Sequence, residues 1–485
     1  MSISIFGIFF LPVALWVFFS RPQYLVPLLI LSSIFSAASV IDFSIGESVF
    51  GLQPFYFTAM LVALKTLPRL SRLRHLRQTF EPATQKFITA LLSFWGWAVL
   101  SAFLFPLVFS GTQVIDPRNA IQDVAAALGV ESETRTLHWG LENLGQATYL
   151  TLCIIALLYV VLSARDKLQR PRCLWALRAS VSVVSVIAIF QSLAVWRGWP
   201  FPYDFFNSNP AYAQNYSAMF ENLARVNATF TEASYAGGFM AAAALGLLAM
   251  RLYGAPVSLI KISLALLALV LTTATTGYAA FALGGVLLFI HLLRSGLRKQ
   301  STRRIIKNSL IAMLAIGLVV ALLLVTIPML RQAALESTFN KADTISAAAR
   351  FSLDAYSIKL MLDTYGFGAG LGSNRPSSLG ADLLGNIGIV GTLLFGIFLF
   401  RLFRQLLPAS RRPDGTSFAL VAWMLAGILI AEGLALPDLS WPPLWGILIA
   451  ATALLVAQPD LSAVHENPSA TTAFTGELPQ NPALA

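Results

Sequence analysis

Charge is scarce in this sequence: Asp, Glu, Lys and Arg make up only 12% of its 485 residues, against about 25% in an ordinary soluble chain. That shortage excludes a large water-facing domain. Cysteine is nearly absent as well. Cys153 lies in an apolar run and Cys173 beside a basic loop, with neither CxxC spacing nor a histidine partner, so a disulfide framework and a zinc site are both excluded and free thiols are predicted. Histidine occurs only as His75, His138, His291 and His465, in no pattern that suits a metal or a Ser-His-Asp set. The first apolar run, Ser2 to Phe19, lacks the basic lead-in and small-residue cleavage site of a signal peptide, and a second run follows at once, so it reads as a span. No internal repeat recurs along the chain.

What is present is apolar sequence, 57% of the total. In lipid every backbone polar group needs a partner inside the segment or barrel, and a helix of roughly 20 apolar residues crosses the hydrocarbon layer. Barrel strands alternate, whereas Leu264 to Leu271 and Val319 to Val325 are apolar on every face. The expected fold is therefore an all-α polytopic integral membrane protein with about 12 or 13 helices. The runs fall near 2–19, 24–41, 51–68, 87–110, 145–163, 174–195, 234–253, 257–275, 277–293, 308–328, 383–400, 417–436 and 442–457. Residues 1–457 read as a single membrane domain and 458–485, rich in Ala, Pro, Thr and Asn, as a disordered tail.

Basic residues collect in four connections: Arg69 to Arg77, Arg165 to Arg172, Arg294 to Lys307 and Arg401 to Arg412. Short basic loops stay on the cytoplasmic side. The connections 111–144, 196–233 and 329–382 then face outward. The net charge of +10 is explained by this sidedness and by anionic headgroups, which leaves no reason to expect nucleic acid as a partner.

Two outward loops concentrate polar groups that solubility does not require. Glu221 to Gly238 places Arg225 and Glu232 just before a helix start rich in Gly and Ala, where an anion clamp and a nearby base are expected. The same pair would also serve simply to anchor a helix end. In the second loop, Ser346 to Leu362 carries Phe351, Ala355, Ile358 and Met361 at helical spacing, the pattern of an amphipathic helix on the outer surface. Gly366, Gly368, Gly370 and Gly372 follow on alternate residues, then Ser373, Asn374 and Arg375. Such a run can turn backbone N–H groups toward one anion, with Arg375 adding a bidentate donor; it can equally exist to fold against other helices. The hydroxyls of Thr272, Thr273, Thr275, Thr276 and Tyr278 and the carboxyl of Glu432 are further polar groups near the outer ends of spans.

In order and spacing, RVNATFTEASYAGGFM (225–240), LTTATTGYAAFALGG (271–285) and ARFSLDAYSIKLMLDTYGFGAGLGSNRPSS (349–378) resemble the family of O-antigen ligases and Wzy-type polysaccharide polymerases, especially its exopolysaccharide branch. The resemblance covers about 225–400. It implies a glycosyl transfer without metal or other cofactor at the outer face of the bacterial inner membrane, from an undecaprenyl-diphosphate-linked oligosaccharide to an acceptor hydroxyl. Chain-length regulators and export proteins are its implied protein partners. In that scheme Arg225, Arg350 and Arg375, with Gly370, Gly372, Ser373 and Asn374, bind the diphosphate, and Glu232 accepts the proton of the incoming hydroxyl beside Arg225. The ligases carry a His after the glycine loop, absent from Leu379 to Leu384 here, which favours a polymerase; Ala228 and Ala233 replace the family's Gly and Pro. Two alternatives stay open, a ligase and, in another class, a secondary transporter or flippase, although the related halves and midplane polar breaks of transporters are not visible.

Overall fold

The structure is a computed structural model and describes residues 1–45, 48–72, 82–115, 134–163, 166, 168–212, 219–220, 223–294, 345–412 and 414–456. Its helices, in chain order, are α1 (Ile5–Ser20), α2 (Leu25–Ser32), α3 (Pro54–Thr66), α4 (Pro82–Val108), α5 (Leu141–Leu162), α6 (Gln169–Arg197), α7 (Ala233–Leu252), α8 (Leu259–Leu271), α9 (Thr275–Arg294), α10 (Ile345–Asp363), α11 (Leu379–Ala409), α12 (Thr416–Ala435) and α13 (Pro442–Val456). Seven of them, α4, α5, α6, α7, α9, α11 and α12, are long and apolar enough to cross a membrane, and α1, α8 and α13 are shorter apolar helices. The protein is thus of the all-α, many-pass membrane type. The run at 308–328 and the tail from 458 lie outside the described residues.

The centre of the bundle is α7, half of whose 20 residues are glycine or alanine. Of its most apolar window 94% is buried, against 28% for α9. A Cβ on Gly277 of α9 would fall 2.7 Å from the carbonyl carbon of Gly237, and one on Gly427 of α12 would fall 2.8 Å from the Cα of Ala242. Backbones at that separation need small residues on both sides, and the close approach supplies the dispersion contact that drives helix association in lipid.

The early spans depart from expectation. The run at 24–41 is helical only to Ser32, and its end becomes a strand, Ile41–Ile45, paired antiparallel with Ser48–Leu52 in the register Ile41↔Leu52 and Phe43↔Phe50. Serines stop the helix: Ser32 and Ser33 donate their hydroxyls to the carbonyls of Leu29 (3.0 Å) and Ile30 (2.7 Å), competing with the backbone ladder. Beyond them Ala37 N–H donates to Thr229 O (3.1 Å), so this stretch serves as a floor for residues 225–232.

Cross-contacts join the helix ends at the basic face. Arg170 pairs with Asp414 at 3.9 Å and lies over Phe418, and Arg401 donates to Lys86 O at 3.0 Å. At the opposite end Ser440 donates to Gln146 Oε1 (3.0 Å), and Gln191 Oε1 accepts from Ala228 N–H (2.7 Å). This second end carries the candidate site.

Candidate functional site

The segment Arg225 to Glu232 is held from beneath by side chains of three elements. Gln191 of α6 accepts from Ala228 N–H and donates to Asn227 Oδ1 (2.7 Å), Asn227 donates to Phe230 O (2.9 Å), and Thr229 donates to Ile34 O (2.5 Å). Phe230 packs against Phe239 and Trp441 with ring centroids 5.6 and 6.2 Å apart. Ala228 has φ +52°, in the left-handed region that favours glycine. At the end of the segment Glu232 is exposed, caps the start of α7 in extended conformation and accepts the Ser234 hydroxyl at 3.0 Å.

Arg225 is half-buried, and its Nε has no hydrogen-bond partner among the described residues. Burial pushes its pKa down, Glu232 pulls it up, Arg350 on α10 lowers it further, and Tyr278 on α9 raises it slightly. Glu232, Arg350 and Tyr278 therefore each lie within electrostatic reach of Arg225. Among the described residues this leaves one unused donor on a partly desolvated guanidinium, with a second arginine within reach of its charge.

Arg375 belongs to an adjoining cluster. It is exposed, and Asp438, Asp382, Tyr212 and Tyr235 all feel its charge. Asp438, in the turn between α12 and α13, accepts Ser440 N–H at 2.9 Å; burial raises its carboxyl above the usual range, and Ser440 and Arg375 partly offset this. Tyr212 accepts from Gln53 Nε2 at 2.5 Å, and burial pushes its hydroxyl upward, which keeps it a neutral donor. Tyr235 joins the clusters, since Asp438, Glu232 and Arg375 all act on it, and its ring lies 5.2 Å from that of Trp441. Glu432 of α12 is fully buried behind them, with neither carboxyl oxygen hydrogen-bonded among the described residues. Sequence reasoning missed Asp438 and Tyr212. The signal for Asp438 was a carboxylate in a proline-flanked turn between two apolar runs, LPDLSWPP at 436–443.

The glycine run corrects the expectation set for it. Gly366, Gly368, Gly370 and Gly372 all have φ between +82° and +101°, the left-handed region that favours glycine. Most of the amides in this loop, however, serve the protein's own frame, although that of Gly372 does not take part in these bonds. Gly368 N–H donates to Thr364 Oγ1 (3.0 Å), Ala369 to Gly385 O (2.8 Å), Gly370 to Asn386 O (2.8 Å) and Leu371 to Ser101 Oγ (3.3 Å). Ser373 and Asn374 N–H share Asn386 Oδ1 at 3.1 and 2.9 Å. Ser373 Oγ and Asn374 Nδ2 are used as well, by Ala369 O and Ser357 Oγ. Gly370, Ser373 and Asn374 thus form the wall on which Arg375 is mounted, because the loop lies against α4, α5 and the π-turn Leu383–Ile387 that interrupts α11. A Cβ on Gly370 would meet Ser101 O and Pro106 at 2.7 Å.

The helix α10 forms as expected, and of the four residues on its expected apolar face Phe351, Ala355 and Ile358 are exposed while Met361 is buried. Leu353, Ser357, Leu360 and Thr364 are buried against the protein, and Phe351, Ala355, Ile358 and Leu362 form an exposed apolar stripe. Asp354 locks it to the loop by accepting Ser377 and Ser378 N–H at 2.7 and 3.0 Å. Of the threonine patch, Thr272, Thr273 and Tyr278 donate to the carbonyls of Leu269, Thr272 and Val270.

No protein-family model matches the chain, and no curated protein matches it.

Proposed function

We propose that this protein is a membrane glycosyltransferase that polymerises undecaprenyl-diphosphate-linked oligosaccharide repeats at the periplasmic face of a bacterial inner membrane. The observation that carries this reading is the partly buried Arg225, with an unused Nε donor, set beside Arg350 and the exposed carboxylate of Glu232. In the reaction the acceptor hydroxyl oxygen attacks the anomeric carbon, the bond from that carbon to the diphosphate oxygen breaks, and the hydroxyl proton passes to Glu232. The lipid diphosphate departs with the bonding pair. Negative charge therefore grows on the leaving group, where Arg225, Arg350 and Arg375 stabilise it in a setting that excludes much of the water. A single displacement of this kind inverts the anomeric centre. Tyr212 and Tyr235, neutral hydroxyls between the clusters, suit the binding of sugar hydroxyls.

The test is direct. The detergent-purified protein is given a synthetic undecaprenyl-diphosphate-linked repeat in the presence of EDTA, and lipid-linked products are sized. A ladder of longer products that Arg225→Ala and Glu232→Gln abolish supports the reading. A protein that elongates nothing alone but transfers the glycan to an added lipid-core acceptor is a ligase. One that only moves the intact lipid-linked sugar across a vesicle membrane is a flippase.

A further inference from the structure

At the basic end of the bundle two cations without a partner among the described residues, Arg178 and Lys261, share one groove. Several of the arginines there are occupied: Arg172 bonds Asp166 at 2.9 Å, Arg170 pairs with Asp414, Arg251 donates to Val257 O at 2.7 Å and Arg401 to Lys86 O. Arg178 on α6 and Lys261 on α8 are exposed and have neither an acidic partner nor a hydrogen-bond acceptor among the described residues. Both line one groove of about 50 Å³ between α6 and α8, whose floor is apolar and includes Val181 and Leu247.

Their depth is informative. From Ala179 to Val195 α6 has no charged residue, and exposed Trp175 lies one turn before Arg178. Lys261 is the third residue of α8, followed only by apolar residues and one serine up to Leu271. Both charges therefore sit where an apolar stretch begins, the level of the headgroups, with the aromatic residue that commonly marks it.

We propose that this groove binds one anionic phospholipid of the inner leaflet, its phosphate between Arg178 and Lys261 and an acyl chain along the accessible Val186 and Leu264. Two unneutralised cations beside an apolar channel match a ligand that is anionic at one end and apolar at the other. The site lies at the opposite end of the bundle from Arg225 and does not depend on the proposed transfer reaction.

Native mass spectrometry of the full chain in neutral detergent, titrated with phosphatidylglycerol, phosphatidylcholine or inorganic phosphate, tests it. The expected result is one tightly retained phosphatidylglycerol, discrimination against phosphatidylcholine, and no displacement by millimolar phosphate. Arg178→Ala with Lys261→Ala should weaken retention roughly tenfold or more, since each near-surface cation contributes about 1 kcal/mol. Arg178→Lys with Lys261→Arg should retain it. Equal retention of both lipids by the wild type would overturn the proposal without any variant. So would displacement by phosphate, which marks a free-anion site, or unchanged retention in a folded double alanine variant. Should that variant fail to fold, Lys261→Gln alone, at an exposed position, must still weaken retention.

Discussion

Two segments drew attention as anion sites, 366–374 for its glycines and 225–232 for its arginine and glutamate, and the fold treats them oppositely. The glycine loop turns its amides inward onto Asn386, Thr364, Ser101 and Gly385. The arginine segment is fixed largely by its backbone and leaves the Arg225 Nε without a partner among the described residues. A glycine run supplies the shape of an anion cradle, but what decides its use is whether its donors already have acceptors. Satisfied donors make a frame, and an unsatisfied one beside a second cation makes a site.

The comparison breaks most visibly at Gly368. A Cβ there would lie 2.7 Å from Asn386 O and Gly388 N at φ +82°, so Gly368→Ala should destabilise by about 3 kcal/mol or more, seen as a lower melting temperature and aggregated material on size exclusion. Were the loop an open cradle instead, this variant would fold normally and lose only ligand affinity. Arg225→Ala should do the reverse, lowering turnover roughly 10²-fold or more with melting unchanged, and Arg225→Lys should restore part of it. Asn386 makes four side-chain hydrogen bonds, with Ser373, Asn374 (two) and Asp382. Asn386→Ala should therefore cost about 2–4 kcal/mol, read by thermal unfolding in detergent, and activity should fall only as far as folding does.

The smallest effect concerns pH. Burial raises the folded-state Asp438 carboxyl above its ordinary value, so the native protein holds a proton that the unfolded chain has released. The stability this group contributes is present below about pH 4, the unfolded value, and is lost as pH rises through the folded one. Melting temperature should therefore decline over that interval, and Asp438→Asn should flatten the decline. An unchanged slope in the variant would show that another carboxyl governs it.

Membrane class, the amphipathic α10 and the glycine positions at 366–372 were legible because each follows from local chemistry: apolar length, helical spacing, and a backbone conformation that only glycine adopts without strain. The short α2 was misjudged because Ser32 and Ser33 are nearly neutral in a hydropathy count yet end a helix through their hydroxyls. Which face of α10 meets the protein was also illegible, since two apolar stripes compete and only Asp354 capturing Ser377 and Ser378 selects one.

By itself the sequence determined how many apolar runs the chain has, which end is basic and which residues around 225–240 and 366–375 carry unusual chemistry. Only the tertiary structure decided that α7 is the axis of the bundle, that Asp438 and Tyr212 join Arg375, and that Arg225 Nε has no partner among the described residues while most amides of the glycine loop have one. The physical reason is that composition and spacing fix what each group can bond, while the distant partner that takes the bond, 13 residues away for Ser373 and 270 for Leu371, is chosen by packing.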